Sequence, residues 1–287
     1  MSKGKEKRKL RTRIVTDTFD WGKSQFPHLK KEDVIAYSLH VRGFTAHASS
    51  NVSARGTYAG IVEKIPYLKD LGITAVELMP VTEFDEVMMS SSGNGFHDAK
   101  PEPTGYINYW GYGPSYLYAV KSAYASHGEM SAESEFKTLV KELHRAGIEC
   151  IPELYFTGKE LPGEIVSVLR YWVEEYHVDG FHLLGFPNLL LAAEDPFLKR
   201  TKLFAENWNE VMDRRPKKGY ITPGDGPVSV AEKNLAEYNM QFMEDMRRFL
   251  KGDEGMLQAF EFRNRRNPAE YAVVNYMANT NGFTLMD

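Results

Sequence analysis

The stretch that decides the fold is HVDGFHLLG, residues 177–185, which follows a helix-like amphipathic stretch at residues 165–176. Its second part, residues 180–185, is a short run rich in apolar side chains, as expected of a buried strand. Short apolar runs and amphipathic stretches alternate in this way along nearly the whole chain. The alternation predicts an α/β fold in which repeated βα units surround a parallel sheet.

Seven segments are candidate strands of this sheet, with amphipathic helices between them. The strand candidates are residues 34–41, 75–79, 148–155, 180–185, 202–206, a weak one near 237–239, and 272–277. Helices are predicted at residues 60–71, 133–146 and 240–250, and glycines suited to C-terminal caps follow the first two. Pro152 lies inside the third strand candidate. Because proline donates no ladder hydrogen bond, local distortion is expected there.

Composition and charge restrict the classes of protein to which the chain can belong. The 287 residues are 43% hydrophobic and 26% charged. No apolar run reaches about 18 residues, so neither a membrane span nor a secretion signal is expected, and the predicted compartment is the cytoplasm. Residues 2–13 are strongly basic but the remainder is acidic, which argues against a nucleic-acid partner. The single cysteine, Cys150, is predicted to be a buried structural thiol.

Several motifs together resemble one enzyme family. The run at 177–185 resembles the fourth-strand motif of the α-amylase superfamily (glycoside hydrolase family 13), Asp-Gly-Phe-Arg-x-Asp. Three further segments resemble the isoamylase, pullulanase and glycogen-debranching branch of this family and occur in the same order as there. They are YSLHVRGFT at 37–45, YLKDLGITAVELMPV at 67–81 and NYWGYGP at 108–114. The resemblance implies a (β/α)8 TIM-type barrel with its site at the carboxyl ends of the strands.

The resemblance also implies how the chain is divided. Residues 1–33 are expected to form a basic lead and an inter-domain linker, and residues 34–287 a barrel. Compared with the family, this barrel is expected to be partial, because the eighth βα unit and the flanking β-domains are absent from the sequence. A barrel edge left unpaired would suit a partner or a further segment that completes the barrel.

The catalytic positions implied by the resemblance are mostly altered. A retaining glycosidase needs a nucleophilic carboxylate and an acid whose carboxyl groups lie about 5 Å apart. Leu184 stands at the position of the nucleophile, His182 at that of the neighbouring arginine, and Asn281 at that of the second aspartate. Glu206 remains at the position of the general acid, and Glu153 replaces the third-strand aspartate. The resemblance therefore implies a degenerate site.

For two pairs of residues at this site, the sequence supports more than one interpretation. Glu206 is either a remnant general acid or a retained polar residue, and with Glu153 it could serve an inverting mechanism, which needs a wider carboxyl spacing. Trp110 and Tyr112 could stack on sugar rings, as an aromatic residue of this loop does in the family. They could equally pack the loop onto the barrel.

The sequence thus predicts a pseudoenzyme that at most binds an α-glucan such as glycogen, starch or maltooligosaccharides, with His182 and Asn281 as further candidate sugar contacts. Two alternatives stay open: an active α-glucan hydrolase that uses Glu206 with Glu153, and a structural or partner-binding module without sugar affinity. Neither a metal nor a cofactor is predicted, because the sequence contains no local Cys/His cluster, calcium loop or Gly-rich phosphate loop.

Overall fold

A computed structural model describes residues 19–89, 103–126, 130–208, 234–268 and 271–280. Its strands are β1 (Ala36–Leu39), β2 (Ala75–Leu78), β3 (Thr82–Phe84), β4 (Val87–Met89), β5 (Pro103–Ile107), β6 (Ser115–Val120), β7 (Glu149–Phe156), β8 (Gly180–Gly185), β9 (Lys202–Ala205), β10 (Leu235–Tyr238) and β11 (Ala272–Val274). Seven of them form one parallel sheet in the order β1-β2-β7-β8-β9-β10-β11. Outside this sheet, β3 pairs with β6 and β4 with β5, both antiparallel.

Helices connect the strands of the parallel sheet. In the described residues they are α1 (Val41–Ala46), α2 (Tyr58–Asp70), α3 (Ala132–Arg145), α4 (Pro162–Tyr176), α5 (Leu190–Glu194), α6 (Met240–Lys251) and α7 (Met256–Asn264). Short 3-10 helices lie at Lys31–Asp33, Ala48–Ser50, Ser122–Tyr124 and Phe197–Arg200. Within these described segments, no helix combines the length and the apolar character needed to span a bilayer.

The predicted fold class is confirmed. All seven strand candidates are strands of the curled parallel sheet, with ends that differ from prediction by a few residues, and the fold is a partial (β/α)8 barrel. In the part of the chain that the structure describes, β1 and β11 each pair on one side only. Helix α7 and the two antiparallel pairs were not predicted, because they are short and carry weak periodicity.

The expected distortion at Pro152 is wrong. Strand β7 runs without interruption, paired in register with β2 up to Pro152 and with β8 from Glu153 onward. Pro152 lies opposite Leu78, the last residue of β2. The missing N–H therefore falls where the ladder with β2 ends, so that the proline is tolerated without a bulge.

Two apolar layers line the sheet because successive strand residues face opposite sides. Outward-facing residues such as Leu78, Leu154 and Phe181 are fully buried in the main core beneath the helices. Trp172 of α4 lies in the same core, and its indole N–H donates to the carbonyl of Leu117 over 2.7 Å. A smaller core fills the inside of the barrel and consists of Ala75, Ile151, Phe204 and Ala236.

The described part of the lead segment, residues 19–33, packs against the amino-terminal ends of the strands. Lys202, the first residue of β9, donates from Nζ to Glu149 Oε1 over 2.6 Å and to the carbonyl of Leu29 over 2.8 Å. The N–H of Leu29 donates to the same carboxylate over 2.9 Å. The ring of Trp21 stacks on that of His177, with centroids 3.8 Å apart. Part of the predicted linker is therefore bound to this end of the barrel.

Candidate functional site

A layer of polar side chains lies inside the barrel toward the carboxyl ends of the strands. Glu77 of β2, Glu153 of β7 and Tyr238 of β10 each lie two residues beyond a member of the inner apolar core on the same strand. His182 of β8 is paired in register with Glu153. The side chains of Glu77, Glu153 and His182 are buried, and Tyr112 reaches the same group from the loop before β6.

Hydrogen bonds and one longer charge contact join these five side chains into one network. His182 Nδ1 lies 3.2 Å from Glu77 Oε1 and 4.0 Å from Glu153 Oε1. The hydroxyl of Tyr112 donates to Glu153 Oε2 over 2.7 Å, and that of Tyr238 donates to Glu77 Oε2. The His182 ring also stacks on Tyr238, with centroids 4.2 Å apart. The other ring nitrogen, Nε2, is buried and finds no hydrogen-bond partner among the described residues.

Burial and charge set the protonation of the network. Burial, reinforced by the charge of Glu77, raises the pKa of Glu153 to about 7. Burial acts to lower the pKa of His182, but the charge and hydrogen bond of Glu77 outweigh it and raise this pKa. Burial acts to raise the pKa of Glu77, but the charge and hydrogen bond of His182 lower it on balance. These shifts favour an ionised Glu77 facing a protonated His182, whereas Glu153 lies close to its titration midpoint near neutral pH.

The residues predicted as catalytic remnants differ in their exposure to solvent. Glu153 belongs to the buried network, whereas Glu206 follows the end of β9 and is exposed. Leu184, at the implied nucleophile position, lies two residues after His182 on the same face of β8 and is partly exposed. Asn281, the remaining candidate, lies outside the described residues.

The two candidate aromatic residues lie at this same end of the barrel. Trp110 is 45% exposed and makes edge contacts with the rings of His40 and Tyr109. Tyr112 is 37% exposed although its hydroxyl is bound to Glu153. Both loop interpretations therefore have support in the packing, because each ring contacts the protein and leaves part of its surface to solvent.

A cavity of about 520 Å³ opens beside Glu206. It is lined by residues at the carboxyl ends of β9 and β10 and at the end of α7, including Glu206, Tyr238, Asn239, Phe262, Arg263 and Arg266. Arg263 donates to Asp245 over 2.7 Å, and Arg266 forms an ion pair with Glu237. The cavity thus combines acidic, basic and aromatic groups that can hydrogen-bond and stack against a polar ligand.

Cys150 is the buried structural thiol that was predicted, and Asp179 is bound to its backbone. Asp179 Oδ2 accepts from the N–H of Cys150 over 2.8 Å and lies 2.9 Å from His144 Nε2. Both Asp179 and Cys150 are buried, and burial raises the pKa of the thiol well above its usual value. The aspartate therefore joins β7, β8 and α3, and the thiol is held in its unreactive protonated form.

Sequence reasoning missed Glu77 and Tyr238. Glu77 is the one charged residue in the apolar run at 75–79, and a charge in a buried strand usually needs a partner. That was the available signal, but the partner, His182, lies more than a hundred positions further along the chain. No local motif could bring these residues together, because each belongs to a different strand.

Comparison with known proteins identifies the fold's relatives. Residues 44–154 match the family model "Alpha amylase, catalytic domain". Isoamylase 3, chloroplastic, from Oryza sativa subsp. japonica is 33% identical over an alignment that covers 94% of this chain and 42% of the relative. The glycogen debranching enzyme of Serratia proteamaculans is 30% identical, with 96% of this chain and 49% of the relative covered. The chain thus spans less than half the length of these relatives.

A solved structure gives the same architecture. Pullulanase from Paenibacillus barengoltzii, in complex with maltohexaose and α-cyclodextrin, superimposes with a TM-score of 0.62 at 18% identity. The alignment covers 90% of this chain and 50% of the pullulanase. At this identity the likeness shows the fold. The matched family model and the sequence relatives make this chain similar to the isoamylase and glycogen-debranching proteins of the α-amylase superfamily.

Proposed function

We propose that this chain is an α-glucan-binding barrel of the debranching type that does not hydrolyse glycosidic bonds. The observation that carries the proposal is Leu184, which stands where the family resemblance implies the nucleophile. Its partly exposed side chain, at the carboxyl end of β8, has no oxygen with which to attack an anomeric carbon. A retaining mechanism requires such a carboxylate, so cleavage by that route is not available.

The surroundings of Glu153 support the same proposal. An inverting mechanism would need this carboxylate to hold and activate a water molecule. Its Oε2 already accepts from Tyr112, and its Oε1 faces His182 in a buried site. A carboxylate engaged in this way is poorly placed to act as a general base on a sugar in the cleft.

Binding is supported by the exposed aromatic surface and by the relatives. Glucose rings present apolar C–H faces, which pack on flat aromatic side chains such as Trp110 and Tyr112. The adjacent cavity offers the exposed carboxylate of Glu206 for hydrogen bonds to sugar hydroxyls. The similar proteins are named as isoamylases and a glycogen debranching enzyme, and the pullulanase was solved with maltohexaose.

Calorimetric titration of the purified chain with maltoheptaose tests this proposal. We expect measurable binding that Trp110→Ala weakens about tenfold, or ~1.4 kcal/mol, because the stacking surface is lost. Tyr67→Ala is the matched control. Tyr67 is 44% exposed, close to the 45% of Trp110, but it lies on α2 and contacts Phe44 and Lys64 instead of the site. This control should leave the affinity unchanged.

A reducing-end assay on glycogen and pullulan tests the absence of cleavage. We expect no release of reducing ends above a protein-free blank. Release that disappears in Glu206→Gln would instead establish a hydrolase that uses this glutamate. If titration shows no binding at all, or if Trp110→Ala and Tyr67→Ala behave alike, the glucan-binding role is wrong and a structural module is favoured.

A further inference from the structure

Three potential metal ligands meet inside the barrel. One ligand atom from each of Glu77, Glu153 and His182 lies within 4.8 Å of the other two, and all three side chains are buried. The atoms come from three neighbouring parallel strands, β2, β7 and β8, which fix their relative positions. We propose that Glu77, Glu153 and His182 bind a divalent transition-metal ion through Oε1, Oε1 and Nδ1.

The separations of the ligand atoms fit such an ion after small side-chain shifts. Zinc–nitrogen and zinc–oxygen bonds are about 2.0–2.2 Å long, so two ligands of a tetrahedral ion lie roughly 3.3 Å apart. His182 Nδ1 lies 3.2 Å from Glu77 Oε1 and 4.0 Å from Glu153 Oε1. Rotation of the Glu153 carboxylate toward the imidazole would therefore bring the three atoms around one centre.

Charge balance favours a cation at this position. In the described residues, neither Glu77 nor Glu153 forms an ion pair with a lysine or arginine. Burial of two carboxylates against one imidazole leaves negative charge in the interior, which is costly. A dication with neutral His182 would balance the two carboxylates. One imidazole and two carboxylates form a donor set that suits zinc, manganese or iron(II).

Two tyrosines hold the carboxylates in orientations suited to coordination. Tyr238 donates to Oε2 of Glu77 and Tyr112 donates to Oε2 of Glu153, which leaves each Oε1 directed at His182. Hydrogen bonds of this kind, made to the oxygen that does not bind the metal, orient ligands in metal sites. Tyr112 is partly exposed, so an ion can reach the cluster past its ring.

Titration of the chelator-treated chain with Zn²⁺ tests the proposal, with Co²⁺ absorption as a second readout of the ligand field. We expect one equivalent of tight binding that Glu77→Gln and His182→Gln each weaken by at least about tenfold. Glu32→Gln is the control, because this carboxylate is exposed and lies in residues 19–33, at the opposite end of the barrel. Its affinity for Zn²⁺ should equal that of the unmodified chain.

Tyr112→Phe keeps all three ligands and removes only one orienting hydroxyl. This variant tests the metal site even if circular dichroism shows that the glutamine variants do not fold. We expect a loss of about 10- to 100-fold in Zn²⁺ affinity. Absence of tight binding by the unmodified chain would overturn the proposal and leave the cluster as a proton-sharing network. The proposal would also be overturned if Tyr112→Phe and the folded cluster variants bound Zn²⁺ with the same affinity as the unmodified chain, because the zinc would then bind elsewhere.

Discussion

At the scale of single residues, the side chain of His40 joins the start of α1 to the loop that carries Trp110 and Tyr112. It lies between β1 and α1, where its Nδ1 accepts from the N–H of Gly43 over 2.9 Å and so caps the helix. Because Nδ1 is an acceptor, the proton of the neutral ring lies on Nε2, which is 2.9 Å from the carbonyl of Tyr109. Both ring nitrogens of His40 are therefore bound within the protein.

A pH dependence follows from this histidine. Burial, together with the charge of Arg42, lowers the pKa of His40 below its usual value of about 6.5 despite the hydrogen bond to Tyr109. The unfolded chain then binds a proton that the folded chain does not, so the free energy of unfolding decreases as the pH falls below about 6.5. This contribution is fully present above that value.

Urea unfolding of His40→Gln at about pH 8 and about pH 5 measures this contribution. At the higher pH we expect the variant to lose about 1 kcal/mol, because the cap is weakened. At the lower pH the difference between the two proteins should shrink, because the unfolded state of the unmodified chain is then stabilised by protonation of His40, which the glutamine variant lacks. A difference that stays constant or grows on acidification would contradict the neutral-ring assignment.

At the scale of elements, the approach of β8 to β9 depends on Gly180. Glycine usually weakens a strand, and inside one it often marks a close approach of backbones. A Cβ atom at Gly180 would lie 2.6 Å from the carbonyl oxygen of Lys202 and 2.7 Å from its Cβ. The glycine in the run that decides the fold is therefore required by the neighbouring strand.

Gly180→Ala should destabilise the barrel by roughly 1–3 kcal/mol, because the added methyl group must push β9 away or strain β8. Gly163→Ala is the matched control. A Cβ there meets nothing within 4 Å, in the first turn of α4. The control should be neutral or slightly stabilising, since alanine favours a helix. Denaturation midpoints of the two variants give the comparison, and equal midpoints would refute the close-approach argument.

At the scale of the whole molecule, a buried ion pair joins residues 19–33 to the barrel. Lys202 and Glu149 are both buried, and together they bond the carbonyl and the N–H of Leu29. Burial raises the pKa of Glu149 although the charge of Lys202 opposes this shift. The lysine therefore stabilises an ionised carboxylate that would otherwise be left unpaired in the interior.

Lys202→Met should lower the free energy of unfolding by roughly 3–5 kcal/mol, because it leaves Glu149 buried without its partner. The double variant Lys202→Met with Glu149→Gln should recover much of this loss, since no charge then remains there. Urea denaturation measures both, and hydrogen exchange of the Leu29 amide reports whether residues 19–33 detach. If the single and double variants are equally stable, the ion pair does not hold this end of the barrel.

The sequence by itself determined the parallel sheet, because apolar runs and amphipathic stretches are local patterns that can be recognised without the tertiary structure. It likewise indicated the family resemblance through ordered motifs, and it revealed Leu184 through a run in which a carboxylate was expected. Glu153 and His182 were recognised singly, by position in those motifs. None of these inferences required knowing which strands are neighbours.

Only the tertiary structure decided what those residues do together. The curled sheet places Glu77 beside His182 and Glu153, with Tyr112 and Tyr238 behind them, although the five come from different elements. It also brings Lys202 to Glu149 and to residues 19–33. Such groups form because strands distant in sequence lie side by side in the barrel. Their charges and hydrogen bonds are therefore set by strand register, which local sequence patterns do not encode.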